Sequence, residues 1–301
     1  MDYLIYSISL MVVYIGLAQM LHIQFGMLGI PNFGIVGFWG LGMYSVGVLK
    51  VQFGIPFLFA LLLSCAVVTL VAYALGRLIL RLKGQDVICT TLAFSAIVTL
   101  LVITEKWLTY GVVGLGTIKY PLPFGKMTET IYLLLLILIV FGFQKLINKL
   151  HGSHLGRLLF AIRDNEELAS SLGKDTVGVK LSVFTATCCL VGVLGGLSAP
   201  LNQFLTPNML VPGVTFAVWI ALILGGKDNS MGAILGVVVT FGLFDILIET
   251  YLPVSPKYAV MVPNAKLFLY GALLIGILLY RPNGILQSQN SHKAELGQHK
   301  S

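Results

Sequence analysis

Long uncharged, apolar stretches dominate the chain, and their lengths convert into helices. A helix that crosses the hydrocarbon core of a bilayer needs about 20 apolar residues. Asp2 and Lys50 enclose residues 3 to 49 without a charge, enough for two spans, with a natural break between His22 and Asn32, where Gln24, Gly26, Gly29 and Pro31 interrupt the run. Third, fourth and fifth spans lie between Lys50 and Arg77, between Asp86 and Glu105, and between Glu129 and Lys145. Lys180 and Lys227 enclose residues 181 to 226, and the stretch from Pro200 to Pro212, with three prolines and two asparagines, divides them into a sixth and a seventh. An eighth runs from about Met231 to Glu249, and a ninth ends at Tyr280, before Arg281-Pro282-Asn283-Gly284. Continuous apolar runs fit helices, because barrel strands alternate with a period of two. The pattern predicts an all-α polytopic membrane bundle of eight or nine spans over residues 1–286, a cytoplasmic loop at 148–180, and a polar, disordered cytoplasmic tail at 287–301.

Composition agrees with lipid as the solvent. The chain is 57% hydrophobic and 10% charged, too little polar surface for a water-soluble domain of 301 residues. Without water in the bilayer core, each span must satisfy its backbone N–H and C=O groups internally. The net charge of +7 does not point to nucleic acid, because the basic residues gather in a few loops. With the loops 77–83 and 145–180, Lys227 and the tail on one side, that side holds 13 of the 19 Lys and Arg residues, which predicts an outside N-terminus and a cytoplasmic C-terminus. The first apolar run lacks a basic leader and is expected to be a retained span. Cys65, Cys89, Cys188 and Cys189 sit in apolar stretches without CxxC spacing, so neither a disulfide framework nor a metal site is expected.

The most informative segment is Gly156 to Gly173, too short and too charged to span. Leu158, Ile162, Ala169 and Leu172 follow helical spacing, predicting one apolar stripe on one helix or two short ones. Arg163 suits the end of a first helix. Asp164 or Asn165 suits the cap of a second, whose opening turn carries Glu166 and Glu167 near the positive end of its dipole. Gly173 suits the C-terminal stop. By itself such a segment is either an inert connector on the headgroups or a docking element for a cytosolic partner.

The residues resemble the docking loop of ABC importer permeases in the form found in the branched-chain amino acid (LivH/LivM) family: Gly156-Arg157, Ala161-Ile162-Arg163, Asn165-Glu166, Ala169 and Leu172-Gly173 occur in the family's order. The likeness extends over nearly the whole chain. It includes the early glycine-rich block with Gly29, Asn32-Phe33-Gly34, Gly37, Gly40, Gly42 and Tyr44, then Thr91-Leu92-Ala93-Phe94, Gly192 to Leu201, Leu224-Gly225-Gly226 and Arg281 to Leu286. The chain departs from the family at Asn32 to Ile35, where a Gly-His pair is frequent, and at Lys227-Asp228-Asn229, where small residues are usual. The resemblance implies an ATP-driven importer working by alternating access, with separate ATPase subunits that hold ATP and magnesium. It further implies a second homologous permease, an external solute-binding protein, and a small neutral amino acid as cargo, with urea or short amides as the alternative cargo. It assigns ATPase coupling to Gly156, Arg157, Ala161, Arg163, Asn165, Glu166, Ala169 and Gly173.

Gly173-Lys174-Asp175 and Gly226-Lys227-Asp228 look like phosphate loops, but Leu168 and Ala221 replace the first glycine and aspartate replaces the hydroxyl residue, so no nucleotide is expected on this chain. The glycine groups 34/37/40 and 192/195/196 are expected to pack helices. The Pro31-Asn32 break can also expose backbone dipoles to a zwitterion. Asn32, Gly34, Tyr44 and Asp245 are therefore the substrate-path candidates. Asp245 and Glu249, both within one apolar run, support a competing class, a proton-coupled secondary carrier, against which stands the lack of matching inverted halves. No nucleophile and base are paired for catalysis.

Overall fold

The computed structural model describes residues 2–82, 84–121 and 127–246, together with 268, 271, 272, 275, 276, 279 and 285. The expected ninth span, Glu249, Lys257, Lys266 and the tail 287–301 lie largely or wholly outside these. Among the described residues the secondary structure is helical, apart from one isolated bridge between Leu115 and Leu205.

Four single helices have the length and apolarity to cross a membrane: α3 (Phe57–Ile79), α4 (Gln85–Thr104), α6 (Thr128–Gly152) and α9 (Thr176–Asn202). A fifth candidate runs Tyr3–Met27, made of α1 (Asp2–Leu21) and a wide π-type turn, His22–Met27. Three apolar helices are shorter: α2 (Ile35–Val51), α10 (Pro212–Gly225) and α11 (Gly232–Val237), which continues as a second wide turn, Val238–Ile246. The short helix α5 (Lys106–Thr109) follows α4. At 14 residues α10 spans about 21 Å at 1.5 Å per residue, less than the hydrocarbon thickness of about 30 Å. Apolar helices thus occupy the described parts of the eight stretches expected upstream of Glu249, and five of them are long and apolar enough to cross a membrane.

α2 is the centre of the bundle, and nearly every residue from Ile35 to Val48 is buried. Its glycines explain how it is enclosed on so many sides. A methyl group on Gly42 would overlap the Gly192 carbonyl, and one on Gly195 would overlap the Trp39 carbonyl, so α2 and α9 cross backbone to backbone. Gly37 brings α4 close in the same way, its missing Cβ standing 2.9 Å from Ser95 Cα. Ser64 on α3 donates to the Gly42 carbonyl at 3.0 Å, and Trp39 Nε1 donates to Ser198 Oγ on α9 at 3.0 Å. The glycine groups are packing devices, as membrane helices use small residues.

The break between the first two helices lies at residues 28–34, later than the interruption read from the sequence, because the helix widens through His22–Met27 instead of ending. Pro31 has no N–H, and Gly29 takes φ +79°, a left-handed conformation that glycine adopts without strain. Four backbone N–H groups of the break find acceptors. Gly29 N donates to Phe25 O, Ile30 N to Gln24 O, Phe33 N to Thr91 Oγ1 and Gly34 N to Asn32 Oδ1. A non-helical segment at membrane depth is tolerated when it is buried in protein and bonded in this way.

Candidate coupling site and substrate path

The candidate coupling segment folds as two short helices joined by a sharp corner. α7 (His154–Asp164) begins at Ser153, whose Oγ accepts from Gly156 N at 3.0 Å. Gly156 lies against the Leu150 carbonyl, which leaves no room for a side chain. Asn165 is extended (φ −156°, ψ 99°) and caps α8 (Glu166–Ser171), its Oδ1 accepting from Leu168 N at 3.0 Å. Gly173 ends the segment at φ +77°, and Asp175 caps α9 by accepting from Gly178 N at 2.9 Å. The corner at Asn165 interrupts the helical register, which corrects the expected stripe. Leu159, Ile162 and Ala169 face inward, whereas Leu158 is only half-buried and Leu172 is 72% exposed.

The coupling candidates divide into two sets. Arg157 and Ala161 are exposed, together with Leu168 and Leu172. Arg163 points the other way. Its Nη1 donates to the Gly26 carbonyl in the wide turn of α1 and to Asp228 Oδ1, at 2.8 Å, in the loop between α10 and α11. Its guanidinium also lies 5.2 Å from the Phe160 ring centroid, and its Cγ packs where a side chain on Gly29 would be. Glu166 too is engaged within the chain, in an ion pair with Lys180 that ties α8 to α9.

From the turn that Arg163 grips, polar contacts lead into the break. Gln24 donates to Thr187 Oγ1 on α9 at 2.7 Å and accepts from Asn32 Nδ2 at 2.9 Å. The Asn32 carbonyl accepts from Trp219 Nε1 on α10 at 3.1 Å, and the Trp219 ring stacks on Phe33 at 4.5 Å. Asn32 is fully buried with both ends of its amide engaged, so in this conformation it fastens the break. Gly34 packs against the Thr91 carbonyl. Tyr44 lines a cavity of about 400 Å³ between α2, α3 and α4, shared with Leu41, Ser45, Val48, Leu101 and Glu105. Its buried hydroxyl has no hydrogen-bond partner among the described residues. Asp245 falls in the wide turn after α11, and its side chain lies outside the described residues.

Several residues of this arrangement carry no sign in the sequence. Gln24 reads there as an interruption, and Asp228 as a departure from a family pattern, yet Gln24 bonds Asn32 in the break and Asp228 bonds Arg163 on α7. His22 and His151, with Nε2 atoms 3.1 Å apart, are 129 positions distant along the chain. An isolated polar residue in an apolar run is the only available signal, and it does not name the partner.

The family model described as "Branched-chain amino acid transport system / permease component" matches residues 3–278. The high-affinity branched-chain amino acid transport system permease proteins LivM of Salmonella typhimurium and of Escherichia coli are each 26% identical over 92% of this chain and 68% of theirs. A probable branched-chain amino acid transport permease protein LivM of Methanocaldococcus jannaschii is 24% identical over 93% of both chains. No solved structure matches the chain. With almost all its described helices inside the matched range, the chain is a multi-pass membrane transport subunit, not an enzyme, and belongs to the permease-component family of branched-chain amino acid transport systems.

Proposed function

We propose that this permease carries leucine, isoleucine, valine or a related neutral amino acid inward. Its N-terminus is outside, its C-terminus is inside, and eight or nine helices cross the cytoplasmic membrane. Separate subunits hydrolyse ATP, a solute-binding protein delivers the cargo from outside, and a second homologous permease completes the pathway. The exposed side of α7 and α8, with Arg157, Ala161, Leu168 and Leu172, receives the ATPase. The observation that carries the reading is the grip of Arg163 on the Gly26 carbonyl and Asp228. A displacement of the loop reaches the wide turn of α1 through it, and from there the Gln24–Asn32 contact and the break in the membrane. The substrate names printed for the relatives, together with a cavity beside Tyr44 lined largely by aliphatic side chains, support the choice of cargo.

The test is ATP-dependent uptake of leucine by the permease reconstituted with its partners. Uptake that survives loss of the ATPase subunits and collapses with an uncoupler would overturn the reading in favour of a proton-coupled carrier. Two substitutions probe the parts. Asn32→Leu removes a donor to Gln24 and an acceptor for Gly34, leaving buried polar groups at a cost of about 1–3 kcal/mol each. Uptake is expected to fall several-fold while the ATPase still co-purifies; unchanged uptake would remove the break from the transport path. Glu166→Lys places a second cation against Lys180 and is expected to loosen α8 from α9 and uncouple hydrolysis from uptake. Wild-type uptake per ATP hydrolysed in that variant would remove α8 from the coupling element.

A further inference from the structure

Two histidines that have no part in the relay through Arg163 meet at the same end of the bundle. His22 begins the wide turn after α1, and His151 is in the last turn of α6, where the coupling loop starts. Their rings are parallel to within 1° with centroids 5.4 Å apart, while the two Nε2 atoms are 3.1 Å apart. A centroid separation that exceeds the nitrogen separation by about one ring width means that the rings lie edge to edge with their nitrogens head-on. Collinear nitrogens at that distance leave no space for a metal ion, which would hold them roughly 4 Å apart at 2.0–2.1 Å each. The gap fits one proton, with one imidazole as donor and the other as acceptor.

We propose that His22 and His151 form a one-proton clasp that positions the wide turn of α1 against the coupling loop, and that a second proton, arriving from the cytoplasmic side, opens it. With both Nε2 atoms protonated, two N–H groups face each other without an acceptor, and one imidazolium charge in a buried site replaces the neutral bond. His22 is fully buried, whereas His151 is half-buried with Phe160 of α7 against its ring at 5.3 Å, so the second proton enters through His151. The clasp borders the relay directly. A side chain on Gly26 would stand 2.7 Å from His22 Nδ1 and overlap the Lys227 carbonyl, and the Gly26 carbonyl is what Arg163 binds. The Lys227 carbonyl lies on the Nδ1 side of His22 without completing a well-formed hydrogen bond. The charged side chains that act on His22 are Asp228, from the loop between α10 and α11, and Arg163, from α7. They are bonded to each other and oppose one another, which leaves the imidazole pair as the titrating unit.

The inference rests on the permease reading, and the experiment separates the two. In the complete transporter reconstituted with its ATPases, wild-type leucine uptake per ATP is expected to fall about tenfold as pH on the ATPase side drops from about 7.5 to about 4.5, with the fall in the lower part of that range, below where a free imidazole titrates. His151→Gln keeps a polar atom near the Nε2 position that bonds His22 in either protonation state, so its profile is expected to be flat over that range. His151→Leu is expected to be low throughout. An acid fall in His151→Gln as steep as in wild type would overturn the clasp. Amide hydrogen exchange of residues 22–29 in the wild-type complex, corrected for intrinsic rates, gives a second reading that needs no variant. Faster exchange at the lower pH is expected, and identical protection at both would overturn the clasp. Absence of uptake in wild type at neutral pH, with exchange still dependent on pH, would instead count against the permease reading alone.

Discussion

Replacing Arg163 with alanine is expected to leave the permease folded and the ATPase bound, while ATP-driven uptake falls tenfold or more and hydrolysis continues. Arg163 is the side chain of α7 that holds both the Gly26 carbonyl and Asp228, and its loss leaves the loop end of α1 and the α10–α11 loop without their link to the coupling helix. A charge-assisted hydrogen bond contributes about 1.5–3 kcal/mol when well shielded. With side chains 27% and 40% exposed, the pair with Asp228 belongs toward the lower end after screening. That is too little to unfold a bundle of this size and enough to detach one lever from another. Arg163→Lys is expected to recover only part of the coupling, since an ammonium does not reproduce a planar guanidinium that also lies against Phe160. The measurement is uptake and ATP hydrolysis in the same proteoliposomes. An unchanged ratio in Arg163→Ala would show that the loop moves the membrane helices by another route.

The second large effect concerns assembly of the bundle. Gly195→Val is expected to yield little or no folded permease, because its first side-chain carbon would overlap the Trp39 carbonyl and stand 3.0 Å from Met43 N. Both obstacles are backbone on α2, and α2 is enclosed, so neither helix can retreat without breaking its other contacts. Overpacking that side chains can absorb costs about 1–3 kcal/mol, and a backbone collision exceeds that range. Gly142→Val on α6 is the matched control, since among the described residues nothing from another part of the chain lies within 4 Å of where its Cβ would be. Size-exclusion profiles of detergent-purified protein distinguish the two. A monodisperse, active Gly195→Val permease would contradict the close α2–α9 crossing.

How much of this is legible in the chain depends on whether the cause is local. The helices α3, α4, α6 and α9 follow from the length of apolar runs, and the Asn165 cap with Glu166 and Glu167 behind it follows from helix-end chemistry; both are properties of neighbouring residues. The inward orientation of Arg163 is not. A cation near the end of a short amphipathic helix reads as solvent-facing, and only the arrival of Gly26 and Asp228, 137 and 65 positions away, reverses it. The position of the first break shows the same limit. Gln24 and Gly26 look like helix breakers, yet the helix widens and continues through them because Gln24 finds Thr187 on α9 and Gly26 fits beneath Lys227. The stripe on the coupling loop was displaced by one residue, from Leu158 to Leu159, and lost Leu172, since a single helical period cannot be carried across the extended corner at Asn165.

We expect the outer side of α7 and α8 to meet the motor from inside the cell. A photo-crosslinking amino acid at position 172, where leucine is 72% exposed, tests it without involving the native cysteines. Irradiation of membranes holding the complete transporter is expected to join this position to the ATP-hydrolysing subunit, with a yield that changes when nucleotide is added. Crosslinks confined to the external binding protein, or none to an ATPase while the same reagent on the opposite face finds one, would contradict it.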